Sequence, residues 1–243
     1  MWTVLVAAAP SLALLTYFYL RDRYEPEPIS RLLLAFGLGL FALFAAQSLG
    51  TYVADACTED FLRRGGEAGK LLDAFVVTAL VEEFSRWFVL AVAVYHWRAF
   101  DEPMDGIVYG VAVALGFASL ENYLYLSSRG LSLAWQRALF AVPAHALFGG
   151  GMGYFFGRAK FGGHSGLRAV FPWLAALLLP TLAHGSYDYA LTHGLGPVVW
   201  VAVTVLSLGF WVLVLGRLRH ADKASPYRPK TMLPSDFQVP PRK

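Results

Sequence analysis

The sequence predicts an all-α, polytopic membrane bundle of about seven transmembrane helices. Three observations carry that prediction. The 243 residues are 57% hydrophobic and only 15% charged, with a mean hydropathy of +0.50, whereas soluble domains carry about a quarter charged residues. The apolar residues come in blocks of about 20, the length a helix needs to cross a hydrocarbon core of about 30 Å. The ~10-residue alternation of a transmembrane barrel is absent.

The spans are expected at about 2–20, 32–54, 71–95, 104–126, 136–157, 169–191 and 196–216. The first reads as a retained helix rather than a signal peptide. It lacks a basic n-region, and Arg21-Asp22-Arg23 follows where small residues would mark a cleavage site. Residues 55–70 form a loop of mixed charge with Gly65 and Gly66, long enough for a short interfacial helix. Residues 1–216 thus make one membrane core, and 217–243 a basic, proline-bearing tail expected to be disordered beside an anionic leaflet. Lys and Arg fall mainly after spans one, three and five and in the tail. Arg63, Arg64, Lys70, Arg129 and Arg137 lie on the other side. The positive-inside rule then places the N-terminus outside and the C-terminus in the cytoplasm of a multi-pass cell-membrane protein. One cysteine, Cys57, excludes an intrachain disulfide framework and any multi-cysteine metal site.

Charge inside a bilayer is costly, so ionisable residues within spans mark function by default. Here they concentrate in spans three to six: Glu82, Glu83 and Arg86, then Glu121 with Asn122, then His145, then His184 and Asp188. Glu82 lies about 18 Å from the outer end of its span and the others about 8–14 Å, so one cavity in the outer half of the membrane can hold them. Glu82 and Arg86 are four residues apart and share a helix face, as do His184 and Asp188. A carboxylate at that spacing can fix which imidazole nitrogen faces a reaction. His145 heads a stripe with Gly149, Gly153 and Gly157 that lets a neighbouring backbone approach.

Each piece has a structural reading on its own: a neutralising ion pair, a packed histidine, a glycine contact. Four carboxylates, two histidines, an arginine and an asparagine on four successive spans are poorly explained that way. Such a set can activate water through a carboxylate base and stabilise an oxyanion through His or Asn. The same ligand types, Glu82, Glu121, His145 and His184, could instead hold zinc. The His-Glu-x-x-His signature of zinc proteases is absent, as is a Gly-x-Ser-x-Gly nucleophile elbow. The rival class is a transporter or proton relay, or a catalytically inactive scaffold of the same fold. Against a transporter, the sequence shows no internal repeat.

Four motifs together resemble the PrsW-type intramembrane proteases, relatives of the CAAX-prenyl-protease and bacteriocin-processing membrane glutamic proteases. Glu82-Glu83-Phe84-Ser85-Arg86 is similar to Glu-Glu-x-x-Lys, with Arg in place of Lys. Phe117 through Glu121-Asn122 matches Phe-x-x-x-Glu-Asn, His145 and Gly149 match His-x-x-x-Gly, and His184 and Asp188 match His-x-x-x-Asp. Glu25-Pro26-Glu27-Pro28 also looks family-like. The resemblance implies an endopeptidase making the first cut in membrane-anchored regulators such as anti-sigma factors. The partners it implies are a membrane-anchored protein substrate and the lipid bilayer, with no nucleic acid. Carried over, it makes Glu82 or Glu83 the base, with Glu82 taken first and Glu83 assisting or sharing its proton, Arg86 holding the charge and His145 and His184 acting on water or the oxyanion. Glu121 and Asn122 complete the pocket, and Asp188 orients His184. Zinc is either not required or a cofactor.

Overall fold

The computed structural model describes residues 2–57, 61, 64–163 and 165–192, and, beyond them, 201, 205, 209, 211, 212, 214–218, 221 and 225–227. Every regular element among the described residues is helical. We number them α1 (Trp2–Tyr19), α2 (Ile29–Ala56), α3 (66–92), α4 (Pro103–Arg129), α5 (Leu131–Phe161) and α6 (Val170–Thr192). Five of the six, all but α3, are long and apolar enough to cross a membrane. They coincide with five expected spans to within a few residues. Most of the seventh expected span lies outside the described residues, although those described between 201 and 221 are helical.

The third expected span differs. It begins earlier and runs as α-helix over Gly66–Leu72, π-helix over Asp73–Leu80 and α-helix again over Val81–Val92. Its polar residues, from Glu67 to Arg86, keep it from being uniformly apolar. Glu82, Glu83 and Arg86 are tolerated because the helix turns them inward, where neighbouring helices supply partners, whereas Glu67 and Asp73 are exposed.

At the centre of the bundle stands α4. Its most apolar stretch is 89% buried, against 22% for α1 and 28% for α6. It packs on α5, α2 and α1. A run from Met104 to Ser119 is buried on all sides, as expected for a helix apolar all round. Glu102 and Asp105 start it with a reciprocal capping box, and Gly130 ends it at φ 92°, a conformation that favours glycine. Small residues allow α4 and α5 to meet backbone to backbone. A Cβ on Gly106 or Gly110 would strike the carbonyls of Gly153 and Gly149, and one on Gly153 would strike Gly106. Association in lipid rests on such close packing, because lipid tails compete equally for apolar side chains. The outward faces of α1, α2 and α6 expose Leu5, Leu12, Phe41, Phe44, Phe171 and Leu178, which suits contact with lipid.

Most of the expected tail, 217–243, lies outside the described residues. Leu218, Ala221 and Ser225 are buried. Ser225 Oγ donates to Glu102, and the Tyr227 hydroxyl donates to Asp101 at 3.1 Å. Carboxylates at the start of α4 offer acceptors that a reading of tail composition does not anticipate.

Gly153→Val should strike the α4 backbone and lower stability by about 1–3 kcal/mol or more. Gly37→Ala, whose Cβ meets nothing within 4 Å, should change stability by no more than about 1 kcal/mol. Thermal unfolding in detergent compares the two.

Candidate active site

The site is built around a buried guanidinium. Arg86, on the α-helical part of α3, is 1% exposed. Its Nη2 lies 2.8 Å from Glu83 Oε1 and 3.4 Å from Glu82 Oε2. Its Nη1 lies 3.0 Å from His145 Nδ1 on α5, and Nη2 also approaches His184 Nδ1 on α6 at 3.4 Å. The plane rests 4.5 Å from the Phe117 ring centroid of α4, a favourable cation–π placement. One planar fork with five donors thus ties together residues of four helices.

This geometry fixes the His145 tautomer. A guanidinium only donates, so His145 Nδ1 accepts. The proton therefore sits on Nε2, which donates to Glu121 Oε2 at 2.9 Å. His184 is held differently. Its Nδ1 donates to Glu83 Oε1 at 2.9 Å. Its Nε2 lies 3.2 Å from Asp188 Oδ2 and 3.9 Å from Glu82 Oε2. Phe148 stacks on the ring, with centroids 5.2 Å apart.

The two adjacent glutamates part ways. Glu83 is 0% exposed, enclosed by Arg86 and His184. The Glu82 side chain is 18% exposed and lines a cavity of about 340 Å³. Glu121, His145, His184 and Asp188 line the same cavity. It opens where α4 ends and α5 begins, beside Arg129, Leu133 and Arg137. A π-helical stretch lies just before Glu82 and another, Arg137–Ala141, just before His145. The extra residue of a π-turn re-aims the following side chains and recurs at functional sites.

Of the eight residues singled out in the sequence, the structure brings Glu82, Glu121, His145, His184 and Asp188 to the cavity wall, with Glu83 and Arg86 directly behind them. Asn122 lies elsewhere. It is 1% exposed, donates to the Ala7 carbonyl of α1 at 3.3 Å and accepts from Arg137 Nε at 2.5 Å. The helix turn that aims Glu121 into the cavity rotates Asn122 by about 100° toward α1.

Sequence reasoning missed Arg137, which counted there only as a loop charge. Its Nη2 pairs with Glu121 Oε2 at 2.8 Å, and its guanidinium covers the Tyr125 ring at 4.1 Å. The signal was present in its position eight residues before His145, about two helical turns away on one face.

A zinc ion needs three or four donor atoms converging on one point. Glu82, Glu121, His145 and His184 do not converge this way. Among the described residues, the one set of three carboxylate or imidazole donors within 4.8 Å of one another is Asp22, Glu102 and Asp105, outside this cavity. Both nitrogens of His145 are engaged, and Arg86 already supplies the positive charge at the centre. The residues as arranged do not fit a zinc centre.

Residues 27–216 match the family model described as PrsW family intramembrane metalloprotease. The chain is 40% identical over 232 residues to Protease PrsW of Geobacillus kaustophilus, covering 95% of this chain and 96% of that protein. It is 42% identical over 185 residues to Protease PrsW of Bacillus subtilis, covering 76% and 80%. It is 31% identical over 227 residues to Protease PrsW of Clostridioides difficile, covering 92% and 90%. No solved structure matches the chain.

Arg86→Leu should leave Glu83 buried without a counter-charge and cost about 3–5 kcal/mol. Arg86→Lys keeps the charge but cannot span both histidines, so its melting temperature should fall between wild type and Arg86→Leu.

Proposed function

The chain belongs to the PrsW family of intramembrane proteases, and on that premise we propose that Glu82 activates water against a peptide bond of a membrane-anchored protein. The observation that carries the reading is the division of labour between the two glutamates. Glu82 faces the cavity, while Glu83 is sealed behind it on Arg86 and His184. A general base must reach both water and the scissile carbonyl, and only Glu82 of the pair is placed to do so.

In the proposed reaction, water gives a proton to the Glu82 carboxylate as its oxygen attacks the carbonyl carbon. The C=O electron pair moves onto oxygen. Arg137 and His184, which line the cavity, are the donors available to that oxyanion. As the C–N bond breaks, the proton held by Glu82 passes to the leaving amine nitrogen. His184 Nε2, between Glu82 and Asp188, helps to move it. His145, with both nitrogens committed, positions Glu121 and Arg86. Asn122 positions Arg137, and Asp188 with Glu83 orients His184. No step runs through a metal.

The cavity opens at the end of the bundle that the positive-inside pattern places outside, with the C-terminus in the cytoplasm. Cleavage there would release or trim the outer part of a single-span substrate, which suits a membrane-anchored regulator such as an anti-sigma factor. The basic Arg129 and Arg137 at the mouth would favour an acidic segment next to the scissile bond.

Purified protein, incubated with a panel of single-span substrates that includes a membrane-anchored anti-sigma factor, should cleave at least one. Glu82→Gln and His184→Ala should each lower the rate by about 100-fold or more with unchanged yield of folded protein. A zinc-selective chelator, which leaves Mg²⁺ and Ca²⁺ in place, should not slow wild type. Full activity in both variants would remove the assignment, and loss with the chelator would replace it with zinc chemistry.

A further inference from the structure

About 24 Å along α4 from Glu121, by helical rise, a second polar cluster closes the opposite end of the bundle. It belongs to none of the chemistry above. Asp22 and Glu27 come from the α1–α2 connection, and Glu102 and Asp105 from the start of α4. All four are at least 97% buried. One oxygen each from Asp22, Glu102 and Asp105 lies within 4.8 Å of the other two.

Among the described residues, donors reach only some of the oxygens of Asp22, Glu27 and Asp105. Asp105 Oδ2 accepts from the backbone N–H of Asp101 and of Glu102, both at 2.7 Å. Tyr109 donates to Glu27, and Ser225 donates to Glu102. Yet among the described residues no donor group reaches Asp22 Oδ2, Glu27 Oε1 or Asp105 Oδ1, all of them buried. Lys160, which is close enough to feel Asp105 and Glu27, spends its ammonium on the carbonyls of Tyr95 and Trp97, at 2.7 and 3.3 Å. A buried carboxylate oxygen without a partner is costly, and three facing one region call for a positive ligand.

The geometry points to a binding site for one hard divalent cation, Ca²⁺ or Mg²⁺, held by Asp22, Glu102 and Asp105 with Glu27 alongside. Carboxylate oxygens alone select a hard ion over zinc or copper. Two oxygens on one ion lie at most two bond lengths apart, about 4.6–5.2 Å for Ca²⁺ and about 4.2 Å for Mg²⁺. Three oxygens no more than 4.8 Å from one another can close on one Ca²⁺ by contracting, and on one Mg²⁺ by contracting further. Burial, with Glu102 and Glu25 nearby, pushes the Asp22 carboxyl up to about 7. Burial beside Asp105 pushes Glu27 up to about 10. Burial is the larger cause of both shifts, and the neighbouring carboxylates add to it. Bound there, the ion staples the α1–α2 connection and Ser225 to the start of the central helix. The rival occupant is a proton shared between Glu27 and Asp105, whose carboxyls are within hydrogen-bonding reach.

Equilibrium dialysis of the full chain in detergent against radioactive calcium, with Mg²⁺ as competitor, tests the site. Wild type and Glu82→Gln should each bind one equivalent. Asp22→Asn and Glu102→Gln should each weaken binding by at least 10-fold. Saturating Ca²⁺ or Mg²⁺ should raise the melting temperature of wild type by about 5–10 °C at 100-fold excess over Kd and leave Asp22→Asn unmoved. No bound calcium in wild type, with no melting shift from either ion, would overturn the site in favour of the shared proton. Binding lost in Glu82→Gln but kept in Asp22→Asn would overturn it by placing the ion in the catalytic cavity. Neither result depends on proteolysis.

Discussion

A guanidinium surrounded by two carboxylates and two imidazoles sets the terms for the rest of this molecule. Charge in a bilayer survives only when it is paired and fully hydrogen-bonded. Arg86 meets much of that demand by reaching Glu82, Glu83 and His145 at once, with His184 tied to it through Glu83. Each contact orients a further group. His145 turns its proton to Glu121, His184 is clamped between Glu83 and Asp188, and Glu82 is left facing the cavity. Such a core is costly to build, which points to chemistry rather than to stability.

Holding four helices within reach of one side chain requires close backbone approach. The paired glycines of α4 and α5 provide it, as does Gly185 of α6 against Phe75 of α3. The two π-helical stretches lie just ahead of Glu82 and His145. The packing that holds the bundle together in lipid thus also sets the spacing of the helices that carry the site. The PrsW family membership gives that alignment a protease context.

Much of this was legible in the sequence, for a physical reason. Apolar length and intramembrane charge are each tied to a large solvation cost, so five spans and the cluster of ionisable residues on four successive helices stand out. What stayed hidden depends on rotation about a helix axis and on contacts between ends. Asn122 follows Glu121 directly, yet a single residue step turns it away from the cavity. Arg137 looked like a topological charge because its partners, Glu121 and Asn122, are on another helix. The acidic cluster was visible only as Glu25-Pro26-Glu27-Pro28. Its partners Glu102 and Asp105 lie some 75 residues on, and nothing local announces that they meet. Glu67, Lys70 and Asp73 also blurred the start of α3, since they lower the hydropathy there.

The central claim is that Arg86 and its carboxylate neighbours are energetically one unit. A double-mutant cycle on thermal stability with Arg86→Leu, Glu83→Leu and the pair tests it most directly. If the ion pair is what each partner's burial depends on, the double variant should be less destabilised than the sum of the single ones by about 2–3 kcal/mol. Additivity to within about 0.5 kcal/mol would contradict the account, and Arg86 would then be a packing residue rather than the hub of the site.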